Sequence, residues 1–378
     1  MIAGCGRRAF HTRIVTRGSK VEARTLAGGD TDAVLRGILR DAQRLVELQE
    51  AVVRRLIGAR GKRMDSTNDY DLDSTTNRWP LLRQLPQRDA AGGLSLVHAV
   101  SLDSDPYLID HCLAGKPVLP AAVAVETMAQ FAAAGWPELC VTELLDVRVT
   151  SGIVLEGYAE RELLLRAQPP QRAAADQLQT KVEIVDPQRG IACYRATALL
   201  APALPAPPLA ALPPLPGAVP LDDDRIYSEF LFHGEDFRLI QHIGGLSEAG
   251  ADAAALPSTP GELLGARGAG AHWLFDAALL DVPPQLAFLW TRVHRDMGAL
   301  PSGFGRIARF GDTPLHGTLN LALRLKPAPH PRALCYDMQL IDDSGRLRLL
   351  IVDGESTMDA ALNRLAPDHP QFITGLRL

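Results

Sequence analysis

With 378 residues, 47% of them hydrophobic and 22% charged, the chain carries more apolar surface than one small core needs, so two packed units are expected. Its formal charge of -5 lacks the basic footprint of a nucleic-acid binder. Charge or proline interrupts every apolar stretch well before the ~20 residues a membrane-spanning helix requires, so no such span is expected. The first twenty residues are basic but have no apolar central run of the kind a secretory signal needs, and a cytoplasmic location is expected. Cys5, Cys112, Cys140, Cys193 and Cys335 are widely spaced and form neither a CxxC nor a zinc-like Cys/His pattern, which predicts reduced thiols and no metal.

From about residue 31 to 59, Val34, Leu35, Ile38, Leu39, Ala42, Leu45, Val46, Val52, Val53 and Leu56 recur at steps of three and four between Arg and Glu, the pattern of an amphipathic helix. Residues 60 to 78 are polar and almost free of aliphatics, so they predict a flexible link; 1–78 together form an N-terminal extension. The folded part divides at 201–220, where eight prolines deny the backbone its donors and predict an extended, semi-rigid connector. On either side, 79–200 and 221–365 show the same coarse order of a long helix followed by strands, and 366–378 is a tail. The helices are Pro120 to about Gly135 and about Asp281 to Arg295. Leu319, Leu321, Leu323 and Leu325 alternate as in a half-buried strand. Asp342 to Gly345 predict a hairpin turn, and Ser356-Thr357-Met358-Asp359 resembles the capped start of a helix. No residue-level repeat relates the halves.

His111 opens a run in which Gly115 permits close backbone approach and Pro120 is pre-set for the first turn of the apolar helix that follows. The amino end of that helix presents free N–H groups able to polarise a thioester carbonyl. In the second half, Asp281 and Gln285 are spaced to share one helix face. Pro283-Pro284 is tolerated only in a first turn, so Asp281 is expected at or near the N-cap. A helix start lowers a carboxyl pKa whereas an acid catalyst needs it raised, so desolvation by Phe275, Leu279, Leu280 and bound substrate would have to win.

The spacing HxxxGxxxxP from His111 to Pro120, preceded by Leu108-Ile109-Asp110, resembles the motif of polyketide synthase dehydratases, with Ala121 where that family commonly has glycine. Asp281-Val-Pro-Pro-Gln285 resembles the family's Asp-x-x-x-Gln/His pattern, with Asp276 in the earlier position of the same segment. The stretch Tyr227 to Phe237 is similar to the family's Tyr-Gly-Pro-x-Phe signature, His233 standing for the tyrosine and Glu235 for the proline. Residues 300–310 also resemble a family strand. The resemblance covers about residues 79 to 355, and 31–59 looks like the linker that precedes such domains.

What the resemblance implies is an α+β double hotdog, two antiparallel sheets each wrapped around a long helix. His111 is the implied base and Asp281 the acid, with Gly115, Pro120, Ala121, Gln285 and His233 at the substrate. The implied reaction is loss of water from a 3-hydroxyacyl thioester, with no cofactor beyond the phosphopantetheine of an acyl carrier protein. Other synthase domains and a second copy of the chain are further partners it admits. Ring closure or double-bond migration could use the same base, and a non-catalytic domain could hold carrier-bound chains without either residue.

Overall fold

The computed structural model describes residues 78–155, 160–312 and 314–367; the amphipathic stretch at 31–59, the polar link up to residue 77, Cys5 and the tail from 368 lie outside them. The first half runs β1 (Gln87–Arg88), β2 (Leu94–Val100), the small pair β3 (Cys112–Leu113) and β4 (Lys116–Pro117), helix α1 (Ala121–Gly135), then β5 (Cys140–Val149), β6 (Arg161–Ala167), β7 (Gln171–Ala174), β8 (Gln177–Asp186) and β9 (Ile191–Ala201). The second runs β10 (Ile240–Ser247), β11 (Gly250–Ala255), a short α2 (Pro260–Leu264), α3 (Val282–Arg295), β12 (Gly298–Arg309), β13 (Leu319–Lys326), β14 (Ala333–Ile341) and β15 (Leu347–Asp359).

One antiparallel sheet contains both halves, in the order β1-β2-β6-β8-β9-β5-β12-β15-β14-β13-β11-β10. Leaving aside β7, which pairs only with β8, and the separate β3–β4 pair, each half read outward from the centre has the strand that follows its helix, then the last, third and second of the strands after the helix, then the two that precede it. The halves therefore share a mirror-related strand order although no residue repeat relates them. The halves join where β5 pairs with β12, Leu144 opposite Ile307 and Val147 opposite Phe304. Each half curls around its own helix, as a double hotdog does: α1 packs on β5, β6, β8 and β9, and α3 on β11, β12 and β15.

Both helices are buried for physical reasons visible in their residues. In α1 even Glu126, Thr127 and Gln130 are buried, and its alanines let the sheet close tightly around it. In α3 the first ten residues are buried, while Arg292, His294 and Arg295 gather in the last turn, where cations suit the helix dipole. Polar contacts tie the halves together: Glu126 of α1 accepts from Leu274 N (2.7 Å) and Phe275 N (2.8 Å), and Arg309 donates to Val141 O (2.7 Å) and Leu274 O (2.9 Å).

The proline-rich segment lies extended along the second half and supplies acceptors to it. Gly311 N donates to Pro205 O and Leu347 N to Pro208 O, both at 2.9 Å, and Val219 and Leu246 exchange backbone hydrogen bonds. Prolines keep their carbonyls while lacking donors, so the segment can pair one-sidedly without extending the sheet. One local expectation fails. Ser356 to Asp359 continue β15, paired with Pro301 to Gly298 of β12, and Asp359 instead caps a 3-10 turn at Ala360–Leu365 through Ala361 N (2.8 Å). The capping signature is local, and two-sided strand pairing outweighs it.

Candidate active site

A 3-10 turn over Pro106–Asp110 ends at His111, and the chain then reverses through the β3–β4 hairpin. The reversal needs positive φ at Ala114 (51°) and Gly115 (76°), the reason for a glycine there. It brings Val118 back to His111: Val118 N donates to His111 O (3.1 Å), and His111 Nδ1 lies 2.8 Å from Val118 O. A carbonyl only accepts, so Nδ1 carries the ring proton and Nε2 keeps a free lone pair. Burial, partly offset by the charge of Asp281, lowers the His111 pKa to about 4, so the ring is neutral at ordinary pH.

Asp281 takes the N-cap position of α3, yet its side chain makes no capping bond. Its Oδ2 instead accepts from Gln285 Nε2 (2.9 Å) and lies 3.0 Å from His233 Nε2. Gln285 Nε2 also donates to Phe237 O (3.0 Å), and Gln285 Oε1 accepts from Tyr227 OH (3.0 Å), which in turn accepts from Ile240 N (3.1 Å). A chain of bonds thus runs from β10 to the carboxylate and fixes its orientation. Burial works against the charge of Asp281, but the His233 hydrogen bond, His111 and Gln285 outweigh it and hold the carboxyl below its usual range. Desolvation therefore does not win in the unliganded site, contrary to the requirement placed on a lone carboxyl acid.

His233 sits between turns at Ile226–Phe230 and Glu235–Phe237, stacked on Phe232 with ring centroids 3.9 Å apart. The two histidine loops interlock. Gly234 N donates to Asp110 O (2.8 Å) and Asp236 N to Asp110 Oδ2 (2.9 Å), so the residue before His111 clasps the residues after His233. The His111 and His233 rings end 5.6 Å apart.

These side chains line a cavity of about 250 Å³ whose wall also includes Tyr194, Ala121, Phe288, Thr150 to Gly152 and Ala299 to Pro301. His111 is 8%, Asp281 4%, His233 4% and Gln285 1% exposed. Donor atoms of His111, His233 and Asp281 lie within 4.8 Å of one another. Two imidazole nitrogens and a carboxylate are also a set a metal can use, and here Asp281 Oδ2 is engaged by Gln285 and His233.

Of the residues expected at the substrate, Ala121, Gln285 and His233 are on the wall. Gly115 and Pro120 are not: Gly115 is exposed at the hairpin turn and Pro120 is the buried N-cap of α1, so both shape the wall from behind. Asp276 also stays off the cavity. It adopts positive φ (69°) and accepts from Ser258 N (2.6 Å), Ser258 Oγ (2.5 Å) and Leu279 N (3.0 Å), which holds the approach to α3.

Residues 80–185 match the family described as polyketide synthase dehydratase domain, and residues 205–363 the one described as polyketide synthase dehydratase N-terminal domain. The chain belongs to the polyketide synthase dehydratase family. A polyunsaturated fatty acid synthase polypeptide of Thraustochytrium sp. (strain ATCC 26185 / S-3) is 25% identical over 260 residues, 67% of this chain but 9% of that protein. The chain therefore spans under a tenth of that relative. Among solved structures, the dehydratase domain from the CurF module of curacin polyketide synthase shares the fold with a TM-score of 0.60, at 15% identity, over 75% of this chain and 100% of that one. The dehydratase domain of RzxB from Pseudomonas fluorescens does so with 0.56, at 20%, over 74% and 98%. GphF dehydratase 1 matches likewise with 0.56, at 23%, over 74% and 98%.

In this dehydratase-family chain, sequence reasoning missed three parts of the site. The clasp at Asp110, the role of Tyr227 as a bond donor to Gln285, and the wall at Thr150 to Gly152 come from segments remote along the chain. For Tyr227 and Asp110 a signal existed, since the one opens the stretch that resembles the family signature and the other stands in the run that precedes the His111 motif; for Thr150 to Gly152 none did.

Proposed function

We propose that this chain is a hydro-lyase acting in polyketide or related lipid synthesis. It removes water from a 3-hydroxyacyl thioester that an acyl carrier protein delivers on phosphopantetheine in the cytoplasm. The observation that carries this proposal is the convergence of His111 and Asp281, from opposite halves, on one buried cavity. His111 Nε2 takes the α-proton, a role that suits a neutral ring whose other nitrogen is held by Val118 O. The first N–H groups of α1, beginning at the wall residue Ala121, have no acceptor within the helix and stabilise the enolate-like charge. Asp281, oriented by Gln285, serves the departing hydroxyl, and the reading calls for no cofactor beyond the phosphopantetheine that carries the substrate. Among the described residues no helix is long and apolar enough to cross a membrane.

Ring closure and double-bond migration would use the same base, but neither needs a proton on a departing hydroxyl, the role this reading gives Asp281. Mass spectrometry of 3-hydroxyacyl chains on a carrier protein distinguishes them. Loss of one water mass is expected, and conversion without loss of mass overturns the proposal.

A further inference from the structure

His233 occupies a position that the dehydration chemistry does not require, yet its ring is nine-tenths buried and its Nε2 lies 3.0 Å from Asp281 Oδ2. Its Nδ1 is buried with no partner among the described residues, and its orientation is set by stacking on Phe232 and by contacts of its backbone, Arg238 Nε donating to His233 O (2.9 Å). A ring held this firmly against a catalytic carboxylate asks for a reason. The leaving hydroxyl needs a proton, and a carboxylate kept ionised by its neighbours has none to give.

We infer that His233 and Asp281 hold one proton between them, beyond that of a neutral imidazole beside a carboxylate, and that this pair is the acid that protonates the leaving hydroxyl. The inference rests on the dehydration proposed above and names the source of its second proton. His111 cannot be that source at the outset, because its Nδ1 proton is committed to Val118 O and its Nε2 is the base.

The step balances. His111 Nε2 takes the α-proton, the C–H pair forms the double bond, and the C–O pair leaves with oxygen. The shared proton passes through the Asp281 carboxyl to that oxygen, giving water and leaving a neutral His233 beside ionised Asp281. His111 then carries the extra proton, and the 4.8 Å spread of the three donor atoms is short enough for a departing water to return it to the pair. His233 acts through Asp281 and is a positioning and proton-holding residue.

Other ionisable groups near the pair are His111, Tyr227 through Gln285, Tyr336 on β14, and Arg238, Asp110 and Asp236 around the clasp. Burial raises both phenols well above their ordinary value, so neither tyrosine loses its proton at ordinary pH. Two bases sharing one proton bind it at least as tightly as one of them beside a neutral substitute. Replacing His233 by a neutral side chain should therefore move loss of the acid to lower pH.

Two measurements on the full chain test this. In histidine ¹⁵N spectra at pH 7, His233 Nδ1 is expected to carry a proton, whichever of Nε2 and Oδ2 the shared proton sits on; a bare Nδ1, with the only ring proton on Nε2, overturns the inference without any substrate. In turnover of 3-hydroxybutyryl-N-acetylcysteamine, His233→Gln should lower kcat by about tenfold or more and shift the basic limb down by about one pH unit. His233→Tyr, which restores the family's residue, serves if His233→Gln fails to fold. A reduced kcat with the basic limb in place assigns His233 a structural role and overturns the inference, as does an unchanged profile. Failure of the parent to dehydrate the probe counts against the proposed function instead, and the spectra still decide the proton.

Discussion

Gly234→Ala tests whether the clasp between the halves sets the geometry of the site. Gly234 has an ordinary backbone conformation, so only space is at issue. An added Cβ would fall within the Asp110 carboxyl group and 2.7 Å from Asp110 Cβ. Asp110 would have to turn away, giving up the bond from Asp236 N to its Oδ2 and loosening the one from Gly234 N to its carbonyl. A hydrogen bond to a charged group is worth about 1.5–3 kcal/mol, so stability should drop by about 2–3 kcal/mol, a fall in Tm of about 3–5 °C for a folded unit of this size. His111 follows Asp110 directly and His233 precedes Gly234, so the same shift separates base from acid; a misplacement near 1 Å costs about 100-fold in rate. Thermal denaturation and kcat for the parent, Gly234→Ala, Asp110→Gly and the double variant read both effects. Asp110→Gly sacrifices the acceptor but clears the space, so Gly234→Ala should cost far less in that background. Equal losses in both backgrounds, or a Gly234→Ala protein with parental kcat, would refute the clasp.

His111→Ala should lower turnover by far more than about tenfold, or 1.4 kcal/mol of barrier, and the acid limb of the parent's kcat/KM profile should lie near pH 4, activity rising as pH rises through it, because protonation of the buried ring removes the base. An acid limb at the ordinary histidine value would show a solvated ring. Asp281→Asn should remove activity more completely than Asp276→Asn, which should lower stability instead, since an amide would turn an N–H toward the donors that Asp276 accepts. Burial raises the Asp276 pKa to about 7 despite those bonds. The folded state then holds a proton that the unfolded chain releases near its ordinary value, so stability present at acid pH is lost as pH rises toward 7. Denaturant melts across that range should show this slope in the parent and a shallower one in Asp276→Asn; identical slopes would overturn it.

The sequence alone determined the elements and the chemistry-bearing residues whose signals are local. The apolar run after Pro120 could only be a buried helix, and Pro283-Pro284 could only open one, whereas Gly115, expected for close backbone approach at the substrate, proved to make the β3–β4 turn. Tertiary structure decided whatever depends on partners distant in the chain. Ser356 to Asp359 became strand because β12 and β14 lay on both sides, and Asp276, a few residues from Asp281, was drawn off the cavity by Ser258. The mirror order of the two half-sheets is a matter of pairing, which side-chain identity does not encode residue by residue. The same cause hid the contact of His233 with Asp281: 48 positions separate them within the second half, and only the folding of that half brings ring and carboxylate together, while the clasp of Asp110 on Gly234 adds His111 from the first half.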